Sequence, residues 1–229
     1  MNKSGIDQAA LVEMFSQASA KQSAALRKAV SDATLRALQA RELTMGNIRK
    51  VIKTVTEAAS AGAAQNKAPS VDVEALLTTA FAGMDGALLQ AVEANRKALQ
   101  QFVDQGVALK EERLQSALAD LEKMEDMFFN TVGKAAQAGG SQLQAPWGEV
   151  LEAMKLKGTD TGAQAASAVE QLLAQAQTAL RDGRNMGMRT AQALMDSYSA
   201  LVSGVLIGMS EGLQQGGASD AAGSRSRKK

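Results

Sequence analysis

Residues 70–102 read SVDVEALLTTAFAGMDGALLQAVEANRKALQQF, and this stretch decides the fold class. Its large apolar residues recur every three or four positions, the spacing of one face of an α-helix. They are Leu77, Phe81, Met84, Leu88, Val92, Leu99 and Phe102. Ser70 is suited to cap the start of this helix, and Asp72 and Glu74 favour the positive end of its dipole. We therefore predict a long amphipathic helix here.

Helical spacing continues through most of the remaining chain, whereas the alternation typical of β-strands is not found. We predict helices over about residues 7–61, 70–138 and 162–213, with a break near 139–148. Ser31, Asp32 and Thr34 can each cap a helix and favour a further break near 29–34. Trp147 opens the apolar pattern of a short helix after Pro146 and is expected to anchor it by packing.

These segments predict an all-α protein, an elongated bundle of long amphipathic helices with a disordered C-terminal tail. The expected parts are an N-terminal helical segment, a central kinked helix or helical hairpin, a short helix followed by a long one, and a basic tail. Their bounds are 1–61, 70–138, 146–213 and 214–229. Gly106 either kinks the central helix or reverses the chain, and the hairpin is preferred because it buries more of the stripe.

The composition points away from catalysis, because the chain contains no histidine and no cysteine. Histidine is the usual acid–base group near neutral pH and the commonest metal ligand, and cysteine supplies the readiest nucleophile. We expect a non-enzymatic protein without cofactor or metal. Apolar residues make up 45% of the chain but aromatic residues only 3%, so alanine-rich helices present shallow apolar faces that gain from a partner surface.

Charge is balanced overall but distributed unevenly along the chain. Lys plus Arg is 25 and Asp plus Glu is 24, so no specific nucleic-acid partner is expected. Arg27–Glu57 holds seven basic and three acidic residues, and Asp104–Asp126 holds seven acidic and three basic ones. These regions are either two solvated helix faces or helices that lie side by side, within one chain or between chains.

The sequence also predicts a cytoplasmic protein without a transmembrane span. The first residues lack the apolar core of a signal peptide, and the motifs for lipid attachment are missing. In the C-terminal third the longest uncharged stretch, between Asp196 and Glu211, has 14 residues. A bilayer-spanning helix needs roughly 20 residues.

The last predicted helix carries an eleven-residue repeat, seen in Leu180, Ala191, Val202 and Leu213. This period keeps a stripe on one face of a nearly straight helix, which suits binding to a lipid or polymer surface. An ordinary bundle helix is the alternative. The predicted hydrophobic interface consists of Leu194, Tyr198, Val202, Val205 and Met209.

Three glycines lie beside this interface at four-residue spacing: Gly204, Gly208 and Gly212. Such spacing leaves a flat surface that another helix can approach closely. Each glycine also costs a helix about 1 kcal/mol relative to alanine, so we expect close helix packing to compensate. A frayed helix end is the alternative.

The stretch ANRKALQQF, Ala94–Phe102, resembles the phasins, bacterial helical proteins that coat polyhydroxyalkanoate storage granules. The resemblance extends loosely over residues 76–132. It implies a helical protein at a granule surface; a related bacterial helical family of unknown function is the alternative.

Three functions remain open from the sequence. The first is a non-enzymatic protein that binds a hydrophobic polymer or lipid surface, as a storage-granule coat would, and that forms a homo-oligomer. The second is a cytoplasmic helical oligomer or scaffold whose stripes are all used in helix–helix packing. The third is a pore-forming or translocator-like protein, suggested by the apolar segment Tyr198–Met209.

Overall fold

The computed structural model describes residues 6–18, 23–41, 43–68, 71–104 and 119–181. This part of the chain forms seven long or medium α-helices and no β-strand, which confirms the predicted all-α fold class. The helices are α1 (Gln8–Ser16), α2 (Ser23–Gln39), α3 (Met45–Gln65), α4 (Val73–Asp104), α5 (Met124–Ala138), α6 (Ser141–Lys157) and α7 (Asp160–Arg181). Residues 119–122 are also helical. The predicted tail, 214–229, lies outside the described residues.

Helix α4 is the central helix of the bundle, and it packs against α2, α3, α6 and α7. Its predicted apolar stripe is buried: Leu77, Phe81, Met84, Leu88, Val92 and Leu99 are each at most 1% exposed. Alanines between them are buried as well, so α4 contributes more than one face to the core. Asp72 caps its N-terminus, since the carboxylate accepts a hydrogen bond from the amide of Ala75 at 3.2 Å.

The chain reverses direction between Asp104 and residue 119. The rings of Phe81 on α4 and Phe128 on α5 lie 4.6 Å apart, centroid to centroid. In one continuous helix these residues would be about 70 Å apart at 1.5 Å per residue. Gly106 itself lies outside the described residues. The backbone of α5 packs mainly on α3 and α6, so α4 and α5 meet through their phenylalanines more than as a close helical hairpin.

The breaks in the first segment differ from the predicted ones. The helices end after Ser16 and after Gln39, and the expected break near 29–34 falls inside α2. Thr34 does not cap a helix there, because its hydroxyl donates to the carbonyl oxygen of Val30 at 2.7 Å. Asp32 instead pairs with Lys28 one turn earlier, at 2.8 Å. Both side chains therefore support a continuous helix.

The break predicted near 139–148 is much shorter than expected. Only Gly139 and Gly140 interrupt the helices, and Gly140 has a φ of 107°, which a glycine adopts readily. Helix α6 begins at Ser141 and contains Pro146. The amide that proline lacks would have bonded to the carbonyl of Gln142, an exposed residue where water can take its place. Trp147 is 1% exposed, which confirms its role as a packing anchor.

One contiguous hydrophobic core joins all seven helices, from Ile6 before α1 to Leu172 on α7. At two helix crossings a glycine allows the close approach. A Cβ atom on Gly62 of α3 would overlap the Cβ of Phe15 on α1, and one on Gly83 of α4 would lie 2.8 Å from the Cβ of Val30 on α2. Helix α3 therefore continues past residue 61, where the sequence predicts its end, to Gln65, and Gly62 faces α1 inside the core.

Among the described residues one stretch, Val73–Gln101, is long and apolar enough to cross a membrane by length and composition alone. It coincides with α4, and 61% of its most apolar window is buried inside the bundle. The core helix of a helical bundle has the same properties.

Candidate functional site

The predicted interface and glycine run fall outside the described residues. Helix α7 is described to Arg181, whereas the predicted site begins at Leu194. The interface residues Leu194, Tyr198, Val202, Val205 and Met209 and the glycines Gly204, Gly208 and Gly212 therefore stay predictions from the sequence.

The stretch that resembles the phasins lies in α4 and is turned into the core. Ala94, Ala98 and Leu99 are fully buried, and Asn95 is 8% exposed. The amide of Asn95 donates to the carbonyl of Ala91 at 2.9 Å. In this fold the stretch contacts other helices and does not present an apolar face to a surface.

The apolar stripes of the described helices are used almost entirely inside the bundle. Among the side chains that the structure describes, in residues 6–18, 23–41, 43–68, 71–101, 119–172 and 174, Leu156 is the one large apolar side chain that is strongly exposed, at 91%. A protein that coats a hydrophobic surface needs a continuous exposed apolar face, and exposed single residues are ordinary on any protein. The described bundle offers no such face.

A buried polar junction fixes the start of α7, where Gly158-Thr159-Asp160-Thr161-Gly162 meets α4 and α5. The carboxylate of Asp85 accepts hydrogen bonds from the amides of Asp160 at 3.0 Å and Thr161 at 3.2 Å. Glu125 accepts from the amide and the hydroxyl of Thr159, and that hydroxyl accepts from the amide of Gly162 at 2.9 Å. The first four amides of a helix lack partners within it, and here each of the four is satisfied.

Within this junction Glu125 is a partly buried hydrogen-bond acceptor and not a solvated surface acid. Its carboxylate covers Gly162, where an added Cβ would overlap it. Asp85 is 8% exposed, and its own carbonyl accepts the hydroxyl of Thr161 at 3.0 Å. Both carboxylates therefore complement the positive end of a helix dipole. In the sequence, Asp85 could have been recognised as a single acidic residue within the apolar stretch around Met84.

A second buried polar chain links α6 to α3. The indole nitrogen of Trp147 donates to the hydroxyl oxygen of Ser60 at 3.0 Å, and Ser60 donates to the carbonyl of Thr56 at 2.8 Å. Ser60 is 1% exposed and Thr56 is fully buried. These bonds satisfy polar groups that burial would otherwise destabilise, so we assign them a structural role.

A surface groove of about 600 Å³ runs between α3 and α5. Its cationic side chains are Arg49 and Lys53 on α3 and Lys134 on α5. Small or buried side chains complete it: Met127, Asn130, Thr131, Ala135 and Ala138. Residues 105–118, most of the acidic region noted in the sequence, lie outside the described residues, so the predicted pairing of the basic and acidic regions stays a prediction.

None of the ion pairs found among the described residues joins α3 to α5. Lys53 pairs with Glu57 at 3.7 Å, one turn along its own helix, as Lys28 does with Asp32. Within the part of the chain that the structure describes, no ion pair engages Arg49 or Lys134. The groove therefore presents free positive charge.

The described residues hold no group of three or more carboxylates close enough to bind a metal ion. The carboxylate oxygens of Asp85 and Glu125 already accept hydrogen bonds from Thr159 and from the first turn of α7. The junction thus serves the fold.

Comparison with known proteins assigns the chain to a family. Residues 1–215 match the model described as "Family of unknown function (DUF6781)", and the chain belongs to this family. Comparison with curated proteins and with solved structures gives no match. The resemblance to phasins finds no support in these comparisons, whereas membership of a helical family of unknown function agrees with the alternative drawn from the sequence.

Proposed function

We propose that this member of the family acts without catalysis, as a helical scaffold that assembles with other chains through the face Leu194–Met209. The observation that supports the proposal is the burial of the other stripes. Helices α1 to α7 share one core, and among the side chains that the structure describes, only Leu156 is large, apolar and strongly exposed. The bundle therefore needs no surface in order to bury its apolar residues.

The face Leu194–Met209 is an apolar stripe predicted from the sequence, beyond the residues that the structure describes. Leu194, Tyr198, Val202, Val205 and Met209 are spaced by three or four residues, so a helix would place them on one side. The less apolar Ser197, Ser199 and Ser203 flank this side. Binding to another helix would remove the face from water, at about 25 cal/mol per Å² of apolar area before ordering costs.

A second candidate is binding of the same face to a hydrophobic polymer or lipid surface. The eleven-residue repeat of Leu180, Ala191, Val202 and Leu213 favours it, because the repeat keeps one stripe in line along a straight helix. In that case the bundle would be the soluble body of a surface-bound protein. The two functions differ in what the face contacts.

The test is Val202→Asp in the full chain, compared with Ser203→Asp as a matched control. Asp at position 202 places a charge in the middle of the apolar face, and an unpaired charge is costly to desolvate. We expect loss of the oligomer for Val202→Asp in sedimentation velocity, and an unchanged oligomer for Ser203→Asp. Both variants should keep the helix content of the wild type by circular dichroism.

A flotation assay with liposomes and with hydrophobic granules separates the two candidates. A wild-type chain that assembles in solution and stays off both surfaces supports the scaffold. Flotation that is lost in Val202→Asp supports surface binding instead. Release of dye from the liposomes would support the pore-forming alternative. A wild type that neither assembles nor floats contradicts the proposal.

A further inference from the structure

The outer surface of α5, together with the helical residues 119–122 that precede it, carries a line of charge that changes sign along its length. Glu122, Asp126, Asn130 and Lys134 follow one another at intervals of four residues, and all four are exposed. Residues at this spacing are neighbours on one side of a helix. The backbone stays helical through them, because the amides of Lys123 and Met127 bond to the carbonyls of Ala119 and Lys123.

The groove cations of α3 lie beside the first half of this line. Helices α3 and α5 run in the same direction: Ile48 lies near Met124 at one end, and Ser60 lies near Gly139 at the other. Arg49 is therefore level with the first turn of α5 and Lys53 with its middle, whereas Lys134 lies further along the groove. The acids at 122 and 126 and the cation at 134 thus stand at opposite ends of the line on α5 itself.

These charges have few partners within the described chain. Lys53 has Glu57, but the ion pairs that the structure describes leave Arg49, Lys134, Glu122 and Asp126 without one. Solvated charges are common on helices, so exposure alone carries no conclusion. The informative feature is the arrangement, since Asp126 and Lys134 lie at equal distances on either side of Asn130.

Such a line is complementary to itself when it is reversed. A two-fold axis through Asn130 would bring Lys134 of one copy to Asp126 of the other, and the reverse pair would form at the same time. The floor of the groove is made of small side chains at Thr131, Ala135 and Ala138, which leave room for an approaching helix. From this we infer that the α3–α5 face binds a second copy of the chain, antiparallel, with α5 of each copy in the groove of the other.

A second copy of the chain would give Asp126 a cationic partner, whereas a small anion bound in the groove would not. An inorganic or organic anion in the groove would use Arg49, Lys53 and Lys134 and would gain nothing from Asp126. The pairs in this interface are partly exposed, and electrostatic complementarity of this kind sets orientation and specificity more than affinity. We therefore expect a weak, salt-sensitive contact.

The test exchanges the two charges, singly and together, in the full chain. Sedimentation equilibrium at low salt should show self-association of the wild type at this face, weakened at least tenfold in Lys134→Glu and in Asp126→Lys. An equimolar mixture of the two variants should associate again, because each copy then supplies the charge that the other needs. The double variant Lys134→Glu/Asp126→Lys should also recover. The association of the wild type, the mixture and the double variant should fall as salt shortens the Debye length, because salt screens the attractive pairs.

Glu149→Lys on α6 is the matched control, since Glu149 is exposed and lies on neither α3 nor α5. It should leave the association constant unchanged, and thermal melts should show that all variants remain folded. A wild type that shows no association, or single variants that the mixture and the double variant fail to rescue, would overturn the inference. Saturable binding of inorganic phosphate that depends on Lys134 but not on Asp126 would assign the groove to an anion instead.

This interface is independent of the face Leu194–Met209 proposed above, and the variants separate the two. Association that is lost in Val202→Asp but kept in Lys134→Glu would remove the α3–α5 interface and leave the proposed scaffold intact. The opposite result would remove the proposed role of Val202 and retain the charged interface. Weakening by both substitutions indicates two contacts per chain, which together would link copies into larger assemblies.

Discussion

At the scale of single residues, Asp85 makes the polar contacts that fix the start of α7. Asp85 joins α4 to the first turn of α7 through two backbone amides. Hydrogen bonds to an ionised group are stronger than those between neutral groups, and a buried amide that loses its acceptor is costly. This carboxylate is therefore expected to contribute more to stability than the surface acids.

Replacement of Asp85 by asparagine tests this contribution. Asparagine offers one acceptor oxygen in place of two and turns an NH₂ group toward a backbone amide, so the variant should lose about 2 kcal/mol of unfolding free energy. Asp32→Asn is the control, because Asp32 belongs to an exposed pair on α2 and should cost less than about 0.5 kcal/mol. Urea unfolding with linear extrapolation measures both. If both variants lose the same unfolding free energy, Asp85 contributes no more to stability than an exposed acid.

At the scale of helices, the crossing of α1 and α3 depends on Gly62. Asn66 fastens the same crossing from the end of α3, since its amide donates to the carbonyls of Phe15 and Ala18 at 2.9 and 3.0 Å. The neighbours of a Cβ at position 62 are a Cβ and a backbone oxygen of α1, which cannot turn away as the end of a long side chain would. The two helices would have to separate.

Gly62→Ala should therefore destabilise the protein, by about 1–3 kcal/mol, even though alanine favours helix over glycine by about 1 kcal/mol. Gly148→Ala provides the comparison, because that glycine is also in a helix but an added Cβ would meet nothing within 4 Å. It should raise the midpoint of thermal unfolding, whereas Gly62→Ala lowers it. A higher midpoint for Gly62→Ala would mean that α1 is not packed closely on α3.

Periodicity predicted which helical faces are buried, but local signals misplaced several helix ends. The stripe of α4 is found in the core as predicted, since apolar spacing alone determines which side avoids water. Pro146 was interpreted as part of a loop, yet packing of Trp147 and its bond to Ser60 hold the residue inside α6. Such tertiary contacts outweigh the preference of a proline, and they involve residues far apart in sequence.

At the scale of the whole molecule, the helices of all predicted segments share one core, which the sequence did not reveal. Neither Asp85 nor Glu125 could be linked to α7 from sequence, because each contact joins residues from separate helices. The pairing of the basic and acidic regions that the charge counts suggested stays a prediction, because residues 105–118 lie outside the described part of the chain. The predicted site from Leu194 to Met209 rests on sequence alone.

The central claim is that the bundle is folded by its own core and does not need a hydrophobic surface to bury its stripes. Hydrogen exchange of the wild-type chain, measured by mass spectrometry with and without liposomes, tests this most directly. We expect amides of α4, Val73–Asp104, to exchange slowly in buffer alone and at the same rate when liposomes are added. Rapid exchange of α4 in buffer, with protection only on liposomes, would contradict the claim.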